Sequence, residues 1–84
     1  MMEYDELKEH RVLLEEMLCE TDARYYRLLH EANAPEHQNH PNVIRHYQSL
    51  ADAEMKRMNA LKAAVELADA ELLLILDRKY RKQQ

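Results

Sequence analysis

The chain has 84 residues, a formal net charge of −4, no Gly, Trp or Phe, two Pro and one Cys. That length allows one domain near the lower limit at which a core holds a fold alone, and the lack of Gly argues against the hairpin turns of a β-rich fold. Residues 1–42 carry 10 acidic against 4 basic side chains and residues 43–84 carry 6 against 8, so the broad basic face of a nucleic-acid binder is not expected.

The first ten residues, MMEYDELKEH, are acidic and do not read as a signal peptide. Cys19 has no second cysteine to pair with, which favours a reducing compartment, and its apolar neighbours read it as a small core residue. The longest apolar run, 72–76, is far short of a membrane span. A cytoplasmic location is expected.

Helix one is expected over about residues 3–32, a stretch with no Pro or Gly. Tyr4, Leu7, Leu14, Leu18, Tyr25, Leu28 and Ala32 recur at three- and four-residue steps, with Arg11 and Thr21 filling the two gaps. Val12, Leu13, Met17, Tyr26 and Leu29 widen this stripe, enough to meet more than one partner helix. Residues 33–41 form the corner: Pro35 and Pro41 each push the preceding residue out of helical geometry, and Asn33 and Asn39 suit turns.

Helix two is expected over about 42–82. Its stripe is Ile44, Tyr47, Ala51, Met58, Leu61, Val65, Ala68, Leu72 and Ile75, interrupted by Glu54. Ala is dense along it, and small side chains let helices approach closely. One domain, 1–84, is therefore read as all-α: an antiparallel two-helix hairpin, coiled-coil-like, assembling with another helical protein or with itself. Folding Asn42 opposite Asn33 sets Leu72 level with Glu3, so 73–76 and Tyr80 are expected to overhang helix one. Burying one Leu or Ile is worth roughly 1.5–3 kcal/mol, so such an overhang calls for a partner.

No catalytic residue, cofactor or metal site is expected. His30, His37, His40 and His46 gather near the corner, but their spacing matches no established zinc pattern, and solvated loop histidines are the simpler account. Acidic pairs such as Glu15 and Glu16 belong to a charged helix surface, and no phosphate loop, nucleophile elbow or HExxH occurs. Enzymatic activity is not expected. Tyr25, Tyr47 and Met58 suit the hairpin core, whereas Tyr26 and Tyr80 lie off or beyond the stripe and suit an interface.

PNVIRHYQS (41–49) followed by NA (59–60) is similar to the start of the second helix in needle subunits of bacterial type III secretion. The acidic first helix, the Pro-bounded corner and DAELLLILDRKY (69–80) resemble the small co-chaperones that keep those subunits soluble. The chain is more charged than needle subunits and its basic tail is longer, which favours the co-chaperone. That resemblance implies a cytosolic partner-binding hairpin, with Tyr47, Leu72, Leu73, Ile75, Leu76 and Tyr80 as contacts beside Tyr26. The alternatives are a needle-like polymerising subunit and a homodimeric four-helix bundle that binds nucleic acid; the acidic first helix argues against the last.

Overall fold

The structure, a computed structural model, describes residues 2–82. Helix α1 (Tyr4–Ala32) and helix α2 (Pro41–Lys82) are joined through a short 3-10 turn, Pro35–His37. The two helices pack along one another as an antiparallel hairpin measuring 69 × 17 × 14 Å. Among the described residues no helix is long and apolar enough to cross a membrane.

Local chemistry sets the helix ends. Asp5 and Glu6 lie in the first turn of α1, at the positive end of its dipole. At the other end the Asn33 side-chain amide donates to the Leu29 carbonyl at 2.9 Å, and its backbone N–H reaches the same oxygen at 3.1 Å. This satisfies a carbonyl that the helix would otherwise leave open. Pro35 holds Ala34 in extended geometry (φ −64°, ψ 136°), which stops the chain from continuing as helix. Pro41 then opens α2 at its first position, where the missing N–H costs nothing.

Between the helices runs a seam with strict heptad spacing. If Tyr4 and Ile44 are each given position a, the buried residues of both helices fall at a or d, with half-buried residues such as Ala64 at the flanking e and g positions. Leu7, Leu14, Met58, Leu61 and Ala68 are buried there, and Leu18, Val65, Leu72 and Ile75 pack against that cluster. Ala51 and Ala68 provide the close approach expected of Ala, but Ala53, Ala60, Ala63 and Ala70 face outward. Cys19, expected in the core, is exposed, because it falls one residue beyond the seam residue Leu18.

The register differs from the expected one. Arg11 pairs with Asp69 and the Lys79 ammonium lies 5.2 Å from the centre of the Tyr4 ring, so the start of α1 is level with residues 76–79 and not with Leu72. The corner is the reason. Residues 33–40 do not turn back tightly; the 3-10 turn packs along the first turns of α2, placing the His37 ring 5.5 Å from that of Tyr47. That slides α1 by about one and a half to two helical turns toward the far end of α2. Residues 73–76 consequently have α1 beside them and do not overhang. Leu73, Leu74 and Leu76 are exposed for a different reason: they sit at b, c and e, off the seam.

Candidate interaction surfaces

A two-helix seam covers one stripe of each helix and leaves two broad sides of the hairpin open. On the side built from b and e positions, Leu73, Leu76 and Tyr80 follow one another at three- and four-residue steps on α2. All three are exposed, Leu73 at 67% and Tyr80 at 71%. Val12 of α1 is exposed on the same side, and so is Tyr26, about 20 Å further along α1. Between these apolar residues the side is polar, with Glu15, Asp22, Asp52, Asn59, Lys62 and Glu66. Of the other expected contacts, Leu72 and Ile75 lie half-buried against the seam core, and Tyr47 is half-buried in the corner between His37 and His46. The terminal cations are partly engaged: Lys79 over Tyr4, and Arg81 with Asp77 at 3.3 Å.

The opposite side, built from c and g positions, holds the feature that sequence reading missed. Leu67 and Leu74 are exposed at 61% and 56%, and they border a groove of about 510 Å³ with Leu7, His10, Ala64 and Arg78. Leu13 and Met17 of α1, both exposed, extend the same apolar side. The signal was present in the sequence: Ala53, Ala60, Leu67 and Leu74 are spaced by sevens, which makes a second heptad stripe on α2. Ala disguised it, because small residues read equally well as part of the first seam.

Polar residues interrupt the seam at three places. Arg11 is bidentate to Asp69 of α2 and also pairs with Glu15 at 2.9 Å. The hydrogen bond to Asp69, followed by the two carboxylate charges, holds the Arg11 guanidinium above its ordinary value against the effect of burial. A raised base stabilises the fold while it is protonated and loses that contribution only as pH rises through its folded value. For an arginine that lies in strong alkali, so Arg11 adds no pH dependence near neutrality. Thr21 is 1% exposed, and its hydroxyl donates to the Met17 carbonyl at 2.7 Å.

Glu54 is less satisfied. Its side chain is 17% exposed and lies 3.7 Å from Arg24 and 3.8 Å from Arg57, while its buried Oε2 makes no hydrogen bond. At the corner, His37 pairs with Glu31 at 3.4 Å and stacks on Tyr47, while His30 and His40 are exposed. Among the described residues no three metal-ligating side chains are gathered together.

In comparisons with known proteins, no family model, no curated protein and no solved structure matches this chain.

Proposed function

We propose that the chain is a non-enzymatic, cytoplasmic interaction module whose hairpin presents an apolar strip to another helical protein, in the manner of a type III secretion needle co-chaperone. The single observation that carries this reading is the strip Leu73, Leu76 and Tyr80, three large side chains aligned and exposed at the open end of the hairpin. An i, i+3, i+7 row of this kind is how one helix docks into the groove of another. Tyr80 adds a rigid ring with a polar tip, the side-chain type favoured at such contacts. The secretion context rests on the resemblance of 41–49 and 69–80 alone.

The test is a photo-reactive phenylalanine analogue placed at position 73 or 80 in the cells that make the protein, with position 16 on the outer side of α1 as control. The reading expects a specific adduct with a second helical polypeptide at 73 and 80 and none at 16. It also expects the adduct to vanish in Leu73→Asp/Leu76→Asp while helicity is retained. Equal labelling at 16, or no adduct at 73 and 80, contradicts the module. An adduct whose mass belongs to a helical protein outside secretion keeps the module and removes the co-chaperone assignment.

A further inference from the structure

The c/g side is chemically unlike the strip just described: it holds a groove and the exposed Leu13, Met17, Leu67 and Leu74. The chain exposes 6800 Å², whereas a compact monomer of 10.1 kDa exposes about 5,300 Å². The excess of about 1,500 Å² is larger than the roughly 800 Å² that each partner contributes to a standard interface. The excess belongs to the elongated shape of one hairpin, and a partner contributing a standard interface would remove about half of it.

We infer that the partner is a second copy of this chain. Two hairpins stack face to face through their c/g sides, with the two α2 helices antiparallel across a two-fold axis near Ala64. The pattern along α2 supplies the argument. Reversed about the midpoint of Ala63 and Ala64, Leu67 meets Ala60 of the second copy and Leu74 meets Ala53, so each large side chain faces a small one. Glu71 then lies beside Lys56 and Arg57 of the second copy, an opposite-charge contact that the symmetry makes twice. Leu50, exposed on this side, arrives at the Arg78 end of the groove.

Helix α1 is carried onto the same axis by its register with α2. The cross-helix pairs Arg11 with Asp69 and Arg24 with Glu54 set Met17 level with residues 61–63, close to that axis. The axis therefore brings Met17 close to its own copy and Glu6 near Arg27 of the second copy, again with opposite charges. The competing arrangement stacks α2 over the second copy's α1. It sets Leu67 against Leu13, but it also sets Arg57 against Arg24 and Leu74 against Glu6, which repels in one place and desolvates a carboxylate in the other. The antiparallel arrangement is preferred on the α2 pattern alone, since on α1 it sets Leu13 near Glu20.

This inference concerns the side away from Leu73, Leu76 and Tyr80, and so stands or falls apart from the adaptor reading. It is tested by cysteine cross-linking of the full chain under mild oxidation. Met17→Cys and Ala64→Cys are each made with Cys19→Ser, and the wild-type protein, whose Cys19 faces the other side, is the control. Expected is a disulfide-linked dimer from each single variant, at least about ten times faster than from wild type, with unchanged helical content. If the two positions link only when both are present, the α2-over-α1 arrangement is correct and this one is overturned. Linking at Cys19 alone, or no linking at any position, overturns it as well.

A charge exchange supplies a second readout. Glu71→Lys is expected to raise the dimer dissociation constant about tenfold, and adding Arg57→Glu to restore it to within about threefold. No response to Glu71→Lys, or no restoration, contradicts the pairing. A wild-type chain that is monomeric at all concentrations yet still gives the position 73 and 80 adducts removes the dimer and leaves the adaptor.

Discussion

Glu54 occupies a seam position that a leucine would fill better. Its carboxylate is largely withdrawn from water, yet neither Arg24 nor Arg57 comes within hydrogen-bonding distance. Such a group gives up hydration without full recompense, and replacement of buried ion pairs by apolar side chains is often neutral or stabilising. Glu54→Leu should therefore raise the free energy of unfolding by about 1 kcal/mol in urea titrations, while Arg24→Ala, which strips the carboxylate of one cation, should lower it. A fall in stability for Glu54→Leu would mean that the ion pairs outweigh their desolvation. Leu14 marks the opposite case: it is buried at the centre of the seam, and Leu14→Ala should cost about 2–4 kcal/mol. Val12, two residues away and exposed, should tolerate Ala within about 0.5 kcal/mol. The same titration checks both, and equal losses at 12 and 14 would refute the seam assignment.

At the scale of the elements, the two helices were legible because a/d spacing and proline punctuation are local signals. Seven-residue periodicity in Leu7, Leu14, Leu61, Ala68 and Ile75 marks a helix face without any knowledge of its partner. The register was not legible, because it depends on how residues 33–40 lie over α2. That is a tertiary choice, made by the His37–Tyr47 stack and the Pro35–His37 turn, and it carries no periodic signature. The exposure of Leu73 was anticipated for the wrong reason, as an overhang, when the cause is its angular position on a fully flanked helix. Hydrogen exchange separates the two. With α1 alongside, amides at 72–76 should exchange much more slowly than those at 80 and 81, where the flanking helix ends. Uniformly fast exchange from residue 72 onward would restore the overhang.

For the whole molecule, the governing fact is that one hairpin has two open sides and too little core for its surface. One side carries a short apolar strip among polar residues; the other carries a groove and a second heptad stripe in which large faces small and acid faces base. The strip was found from sequence because consecutive leucines are conspicuous. The stripe was not, because its small members are Ala53, Ala60 and Ala64, which also suit a close helix pair. If a second copy completes the fold, stability depends on concentration, and the melting temperature should fall on dilution; Leu67→Lys should remove that dependence by keeping the chains apart. The most direct measurement is sedimentation equilibrium of the isolated wild-type protein across micromolar concentrations. A helical species of about 20 kDa, twice the 10.1 kDa chain, that dissociates in Leu67→Lys is the predicted result. A 10.1 kDa monomer that melts cooperatively at a concentration-independent temperature, with Leu67→Lys as stable as wild type, would contradict it.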